Sequence, residues 1–440
     1  MRTLTLLGPE AIVVAAAVAS LLSPALRPRQ RAWLPAAASL AVVLALGLEL
    51  WFGAQVGTLF QGGFSQDRFA LYAKGALLLT ALIIVAATDW DPFTAPAGIG
   101  LTLLATFGGM VAASAGDLIG LWAGLELAGL SAAVLLGRTD RLAARQLLLA
   151  SVGLGGLVAV GMALLAGSGG TTVLADLRGQ LFQHSLTLPL ALAALLVVGA
   201  LTARLALAPW AGPLATGTAG IVLLKMAAAT SAVSPSWALY VPAVAAVAMV
   251  GGGLAALAAR RPGPSLVGAG MVQLGWFLAS LAVPDRFGIA AGLFLLSAYL
   301  LAAAGGPIAL AALPHGLAGL AERGVGRAVA FTACYLSLAG VPPLAGFFGQ
   351  FAVAAELARA GLFWLIALGV FGSALLLFAA LRDVRLAFLT SPGEQVFAAP
   401  RDRLTFAGAL LAAALVSVYG FLALPVSSLA LQGAAAIGLR

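Results

Sequence analysis

The chain has 440 residues, of which 62% are hydrophobic and only 9% are charged, and its formal net charge is +8. A soluble globular chain carries roughly a quarter charged residues, and a core of this length needs a polar shell around it. The composition therefore excludes a soluble fold and predicts an integral membrane protein.

Apolar segments of about 20 residues, the length that crosses a bilayer, recur along the whole chain. We predict an all-α polytopic membrane protein with about 14 transmembrane helices. The first segment is too long for a signal-peptide core, so we expect it to be retained. The predicted spans are Leu4–Leu22, Trp33–Trp51, Phe69–Ala87, Ala95–Ala113, Leu118–Leu136, Gln146–Leu165, Leu186–Trp210, Thr218–Val233, Trp237–Ala259, Ser265–Val283, Ile289–Leu313, Ala328–Phe348, Phe363–Leu381 and Leu404–Leu424.

Arginines concentrate in alternate loops of this predicted topology. The loops after predicted helices 1, 5, 9, 11 and 13 hold most of them, and the opposite side has few. Because arginine-rich loops stay in the cytoplasm, we predict that the odd-numbered loops are cytoplasmic and that both termini face outward. Topology alone explains the positive charge, so no nucleic-acid partner is expected.

Redox ligands are scarce in this sequence. The single cysteine, Cys334, excludes an intramolecular disulfide, a CxxC pair and a cysteine-ligated iron–sulfur cluster. The two histidines, His184 and His315, fall in polar connections, which argues against a haem held between helices. We therefore expect this chain to bind no cofactor or metal.

Prolines interrupt two of the predicted helices. Pro209 lies in helix 7, and Pro342 and Pro343 lie in helix 12. Interruptions five helices apart predict that helices 4 to 8 and 9 to 13 form two inverted repeats around an ion pathway, although packing kinks would give the same pattern. The predicted domains are an N-terminal three-helix segment (1–94), a first five-helix repeat (95–233), a second five-helix repeat (234–385) and a C-terminal helix (386–440).

Charged residues inside apolar segments are the candidate functional residues. Lys225 lies in GIVLLKMAAAT, Glu126 in LWAGLELAGLS, and Arg204 one turn before the helix 7 break. Each costs a few kcal/mol at membrane depth. A buried lysine can gain or lose its proton as its surroundings change, whereas arginine stays charged and can act only through its field. A static ion pair between helices is the alternative.

Other charged residues in the predicted helices have a less specific interpretation. Lys74 and Arg145 lie near helix ends, where an extension to the membrane interface and a functional role are equally consistent with the sequence. We expect Glu10 and Glu49 to be interfacial or to contact other subunits. Glu356 is equally consistent with a solvated helix end and with a link to a neighbouring subunit.

Several motifs, taken in order, resemble the antiporter-like proton-translocating subunits of respiratory complex I, and most closely its subunit N. The likeness covers nearly the whole chain. It rests on LLGPEAIV at the start, DLIGLWAGLELAGLS in helix 5, ARLALAPW in helix 7, GLFLLSAYL in helix 11 and LSLAGVPPLAGFFGQF in helix 12.

The resemblance assigns roles to individual positions. Glu126 matches the helix 5 glutamate of that family and Lys225 its central helix 8 lysine. Arg204 stands where the family has the helix 7 lysine, Gln350 where it has the helix 12 lysine, and Gln273 where it commonly has histidine. We predict that Glu126, Lys225 and Arg204 form a proton relay or control it electrostatically. Gln273, Gln350 and Arg145 are possible relay or water-chain positions.

By this resemblance the chain is a divergent, non-redox subunit of a proton-translocating NADH:quinone oxidoreductase in the bacterial inner membrane. Its expected partners are other membrane-arm subunits and the lipid bilayer, with quinone and NADH or another donor bound by other subunits. Two alternatives stay open. One is a structural or charge-coupling subunit with little proton conduction, and the other is the membrane subunit of a related hydrogenase or cation antiporter complex.

Overall fold

The computed structural model describes residues 4–25, 33–53, 57–87, 95–138, 140–183, 187–206, 212–310, 317–390 and 403–438, which are almost entirely helical. The helices are α1 Gly8–Leu22, α2 Leu34–Phe52, α3 Arg68–Ala87, α4 Ala95–Ser114, α5 Leu118–Leu136, α6 Arg141–Gly169, α7 Leu174–Gln183, α8 Leu188–Ala206, α9 Pro213–Ala229, α10 Tyr240–Ala258, α11 Pro262–Ser280, α12 Arg286–Leu310, α13 Leu320–Leu338, α14 Ala345–Arg359, α15 Phe363–Leu389, α16 Arg403–Phe421 and α17 Ala423–Ala436.

The prediction of a polytopic helical membrane protein is confirmed. Within the described ranges, nine helices are long and apolar enough to cross a bilayer, or ten if the bent pair α16 and α17 forms one span. Three further apolar helices are shorter: Gly8–Leu22, Pro213–Ala229 and Gly324–Leu338. The number of spans given by the sequence, about 14, and the inverted repeats stay predictions.

Local side chains set the ends of the helices around the later site. Asp117 and Asp140 precede α5 and α6, where their carboxylates accept hydrogen bonds from Gly120 N and Ala143 N. These contacts satisfy main-chain donors that a helix start leaves open. At the other end of α6, Gly170 takes the left-handed conformation (φ 68°) that ends many helices. Glycine adopts this conformation readily because it has no side chain.

Two small elements were not predicted from the sequence. A hairpin precedes α3, in which strand β1 Gly57–Leu59 pairs antiparallel with strand β2 Phe64–Gln66, with Thr58 opposite Ser65. The short helix α7 lies between α6 and α8. Strands of three residues and a ten-residue helix of mixed polarity produce no long apolar segment, so a search for membrane spans does not detect them.

The C-terminal region also departs from the prediction. One helix was predicted over Leu404–Leu424, whereas the structure ends α16 at Phe421 and continues with α17 at an angle of 83°. Pro425 stands in the first turn of α17, where its missing N–H costs no helical hydrogen bond. As a result α17 folds back and packs against α3 and α12.

The centre of the molecule is formed by α9 and α12. Every residue of α9 from Leu214 to Ala229 is buried, and α12 is buried over most of its length. A helix that is apolar on all sides belongs inside a bundle. Since α9 packs against α3, α4, α5, α8 and α12, a charged residue on α9 lies at the junction of several helices.

Candidate functional site

Glu126 on α5 and Arg204 on α8 form a direct ion pair. Arg204 Nη1 lies 2.6 Å from Glu126 Oε1, and only 6% of the arginine side chain and 14% of the glutamate side chain are exposed. The sequence predicted both residues as members of one site, and the structure brings them together. With one carboxylate for one guanidinium, the pair has no net charge.

Arg204 is held by more than the carboxylate. Its Nη1 also donates to the main-chain oxygen of Ser151 on α6 at 3.3 Å, and its Nη2 donates to that of Leu125 at 3.2 Å. Several acceptors fix a planar guanidinium in one orientation, and arginine does not release its proton in proteins. Arg204 therefore acts here as a fixed positive charge that clamps Glu126 between α5, α6 and α8.

Two glycines leave the space that this pair occupies. A Cβ atom on Gly155 of α6 would stand 2.2 Å from Glu126 Oε1, and one on Gly129 of α5 would stand 2.1 Å from Arg204 Nη2. Both distances are far below van der Waals contact. The small residues are thus required by the ion pair as well as by helix packing.

The substitution Gly155→Ala is expected to displace the Glu126 carboxylate and to lower the stability of the chain by about 1–3 kcal/mol, the usual cost of an added methyl group without space. Gly156→Ala is the matched control, because a Cβ on Gly156 meets no atom of the described chain within 4 Å. Thermal unfolding of the two full-length variants in detergent measures the difference. Equal midpoints would mean that the ion pair does not depend on the space at Gly155.

Lys225 lies apart from this pair, on the last turns of α9. The ammonium donates to the main-chain oxygens of Ala113, at 2.5 Å, and Ala115, at 2.8 Å, at the C-terminal end of α4. It also lies 5.3 Å from the centre of the Phe69 ring. A helix C-terminus presents unpaired carbonyls and a partial negative charge, which stabilise a cation. The side-chain nitrogen of Lys225 therefore lies between a helix end and an aromatic face, both of which favour a cation.

Lys225 also borders a cavity of about 550 Å³. The cavity lies between the β1–β2 hairpin, α7 and the end of α17, and its lining includes the half-buried Asp67 and the exposed Ala175 and Phe182. Only 4% of Lys225 is exposed, so its ammonium is at the inner end of this space. Within the described residues, the cavity connects a buried titratable group to the protein surface.

Gln273 and Gln350 lie beside the break in the predicted helix 12, which the structure places between α13 and α14. Gln273 Nε2 donates to the main-chain oxygens of Ser337 and Leu338, at 3.2 and 2.8 Å, and so caps the C-terminal end of α13. Gln350 Oε1 accepts from Ser373 Oγ at 3.4 Å. Among the described residues, Gln273 Oε1 and Gln350 Nε2 have no hydrogen-bond partner although both are buried.

The remaining predicted positions are not brought to these sites. Arg145 has an exposed side chain near the start of α6. Glu356 forms ion pairs with Arg359, which also contacts Asp285, and this group lies at the partly exposed end of α14. Pro209, at the predicted break of helix 7, lies outside the described residues, which resume at Gly212 after α8 ends at Ala206.

The structure contradicts the interfacial alternative for Lys74, Glu10 and Glu49, while a functional role for Lys74 and contact of the two glutamates with other subunits stay predictions. Lys74 and Glu49 are fully buried, and Glu10 is 5% exposed. Lys74 Nζ lies 2.5 Å from Glu10 Oε1 and 3.7 Å from Glu49 Oε2. It also donates to Gln66 Oε1 at 2.6 Å, and Gln66 Nε2 donates to Glu49 Oε1 at 2.5 Å. These four residues are called the Lys74 cluster below.

One signal for this cluster is visible in the sequence: Lys74 and Lys225 are the chain's two lysines, and both lie within apolar segments. The position of Lys74 near the start of the predicted span Phe69–Ala87 suggested a helix end. The hairpin residue Gln66 covers that end, however, and α1 and α2 bring one glutamate each. Such long-range contacts are not visible in a hydropathy pattern.

Comparison with known proteins agrees with this architecture. Residues 214–376 match the family described as NADH:quinone oxidoreductase/Mrp antiporter, TM. Subunit N 2 of NADH-quinone oxidoreductase from Roseiflexus castenholzii is 32% identical over 88% of this chain and 87% of its own length. Subunit N of NADH-quinone oxidoreductase from Erythrobacter litoralis is 30% identical, with 96% of this chain and 95% of that protein covered.

A solved structure gives the same result at the level of the fold. One chain of respiratory complex I from Thermus thermophilus superposes with a TM-score of 0.78 and 25% sequence identity, over 96% of this chain and 99% of that one. The order of the motifs, the helical bundle and the alignment with subunit N proteins over nearly their full length lead to one conclusion. The chain belongs to the subunit N family of NADH-quinone oxidoreductases, the antiporter-like membrane subunits of complex I.

Proposed function

We propose that this chain carries protons across the membrane as subunit N of a complex I-type NADH:quinone oxidoreductase, driven by quinone reduction elsewhere in the complex. The observation that carries the proposal is Lys225, a buried titratable cation at the inner end of a cavity that reaches the protein surface. Intramembrane ionisable groups that meet water-accessible space are typical of proton pathways.

Lys225 is the group that gains and loses the proton in this proposal. In the charged state its ammonium donates to Ala113 and Ala115. In the neutral state one of its N–H bonds is lost, and the proton passes to water in the cavity, which Asp67 borders. Desolvation favours the neutral state while the α4 carbonyls favour the charged one, so a modest change in the surrounding field can shift the balance.

The Glu126–Arg204 pair supplies that field in the first half of the molecule. Arg204 stays charged, so only Glu126 can change protonation state there. A proton on Glu126 would leave the guanidinium charge uncompensated and favour the neutral form of Lys225. Proton uptake at Glu126 is thereby coupled to release from Lys225, with α5 in contact with α9.

Gln273 and Gln350 support a water position at the helix break in the second half. Gln273 Oε1 accepts and Gln350 Nε2 donates, and both are buried without a partner in the described chain. Buried polar atoms of this kind are normally satisfied by ordered water. Neither amide can take up charge, so this half orders water without storing a proton.

The predicted inverted repeats have some support from helix packing. A Cβ on Gly124 would stand 2.5 Å from Gly108 O, between α5 and α4, and one on Gly268 would stand 2.7 Å from Gly252 O, between α11 and α10. The two glycines of each pair have the same separation in sequence. We therefore keep the proposed division into an N-terminal segment (1–94), two repeats (95–233 and 234–385) and a C-terminal segment (386–440).

We place the chain in the bacterial cell membrane with both termini on the outer face. This orientation rests on the distribution of arginines between alternate loops. The chemistry of quinone and of NADH, or another electron donor, belongs to other subunits of the same complex. The contribution of this chain to the enzyme is proton transfer, without a redox step of its own.

Two observations favour a second candidate function, that of a structural or charge-coupling subunit. Arg204 is fixed by three hydrogen bonds, and the two glutamines beside the α13–α14 break cannot change charge. In this function the chain holds neighbouring subunits together and couples their charge changes electrostatically, while it conducts few protons itself.

Blocking the cavity separates the two candidates. Ala436→Trp puts a large ring into the lining of the cavity and is expected to reduce the protons translocated per electron, because water loses its path to Lys225. Ala435→Trp is the matched control, since Ala435 is exposed on the same helix and is not part of the lining. Proton release and quinone reduction are measured together in proteoliposomes with the assembled complex. Unchanged translocation with Ala436→Trp would favour the structural role.

A further inference from the structure

The Lys74 cluster contains two carboxylates and one ammonium in a fully buried position. Lys74 comes from α3, Glu10 from α1, Glu49 from α2, and Gln66 from strand β2. With all three ionised, the cluster has a net charge of −1. Such a charge is strongly disfavoured away from water unless it is paired or neutralised by a proton.

The hydrogen bonds indicate which carboxylate lacks a counter-charge. Lys74 can only donate, so the oxygen of the Gln66 amide faces Lys74 and its nitrogen faces Glu49. Glu10 is the closer ion partner, at 2.5 Å against 3.7 Å for Glu49. The Glu10–Lys74 pair is therefore neutral, and Glu49 is bound mainly to a neutral amide.

One oxygen of each carboxylate is left over. Glu10 Oε2 and Glu49 Oε2 are buried and have no hydrogen-bond partner among the described residues. The remaining polar neighbour on α4 is Ser114, whose hydroxyl lies 3.5 Å from Glu10 Oε1. A proton on one of the two leftover oxygens would remove the net charge of the cluster.

From this arrangement we propose that the Lys74 cluster is a proton-binding site that holds one exchangeable proton, separate from Lys225 and from the Glu126–Arg204 pair. The proton is taken up by a carboxylate oxygen, mainly that of Glu49, and the cluster changes between −1 and neutral. Lys74 fills the space between the two carboxylates, which leaves a proton rather than a metal cation as the ligand.

The hairpin that carries Gln66 also borders the cavity beside Lys225. Ser65 and Asp67, on either side of Gln66, border the cavity that reaches the surface, and Ser65 Oγ donates to Asp67 Oδ2 at 3.0 Å. The four residues of the cluster are buried and do not line this cavity, so a proton that exchanges with its water has to pass strand β2. Lys74 is also within electrostatic reach of Lys225, so the charge of the cluster acts on the relay lysine.

Counting protonated carboxyl groups tests the proposal. The C=O stretch of a protonated carboxyl group is resolved by infrared difference spectroscopy of the assembled complex between high and low pH. We expect a carboxyl band that Glu49→Gln removes and that Glu356→Gln, at the partly exposed end of α14, leaves in place. Lys74→Met is expected to add a second band, because both carboxylates then lack a cation.

The proposal is overturned if Glu49→Gln leaves the carboxyl bands unchanged in a correctly assembled complex. It is also overturned if sodium ions remove the band at constant pH, because the site would then bind a metal cation. Should Glu49→Gln prevent assembly, Glu10→Gln provides the same test, since it leaves one carboxylate for one ammonium and is expected to remove the band. None of these outcomes depends on whether Lys225 translocates protons.

Discussion

The variant Lys225→Met is expected to abolish the contribution of this subunit to proton translocation while quinone reduction by the assembled complex continues. Methionine fills a similar volume but carries no proton. It also leaves the carbonyls of Ala113 and Ala115 without their donor, at a cost of about 1–3 kcal/mol for each buried acceptor. Water in the adjoining cavity can satisfy part of this loss, so assembly is expected to survive.

Lys225→Arg is the companion variant that separates charge from proton transfer. Arginine keeps a cation at the end of α4 and can donate to both carbonyls, but it does not release its proton. We therefore expect normal assembly and the same loss of translocation as with methionine. Arg141→Met, at an exposed position at the start of α6, is the control for removal of a cation from a membrane helix.

The ratio of protons to electrons in proteoliposomes, measured with the amount of assembled complex, decides between the candidate functions. If Lys225→Met and Lys225→Arg both translocate protons normally, Lys225 is outside the pathway and the structural role is favoured. If arginine restores what methionine loses, a fixed positive charge is sufficient, and the proton must pass by another group.

The sequence was most informative where a residue is chemically unusual for its surroundings. Glu126, Arg204 and Lys225 stood out as charges within apolar segments. In the structure Arg204 and Lys225 are buried, and Glu126 is half-buried. The partner of Lys225 could not be predicted, because it is a pair of main-chain oxygens at the end of α4. Main-chain groups carry no signal in the sequence until the helices are placed in three dimensions.

The failure at Lys74 has a different cause. The closeness of Lys74 to the start of a helix suggests exposure to the membrane interface. Strand β2 directly precedes α3, however, and its residue Gln66 accepts a hydrogen bond from Lys74. Glu10 and Glu49 lie on different helices from Lys74, so no rule of spacing along one helix connects the three residues. Short elements such as the β1–β2 hairpin and α7 line the cavity beside Lys225, and they are the elements that a hydropathy pattern detects least.

Arg204→Ala is expected to destabilise the chain more than any other single change at the relay, by about 3–5 kcal/mol. It leaves the Glu126 carboxylate buried without its counter-charge and removes donors from the carbonyls of Ser151 and Leu125. Glu126→Gln alone leaves the guanidinium without a carboxylate and is also destabilising. Thermal unfolding of the full-length chain in detergent measures each loss.

The double variant Arg204→Met with Glu126→Gln shows what the pair contributes. Because it removes both charges together, its stability is expected to lie above that of Arg204→Ala, and the difference reports the cost of an unpaired buried charge. Strictly additive losses would mean that Glu126 is solvated and does not depend on Arg204.

Arg204→Lys keeps the charge and can also release a proton. If it preserves stability and increases translocation, the arginine limits proton flow through this half of the subunit, and the clamp on Glu126 restricts conduction in addition to holding the helices together.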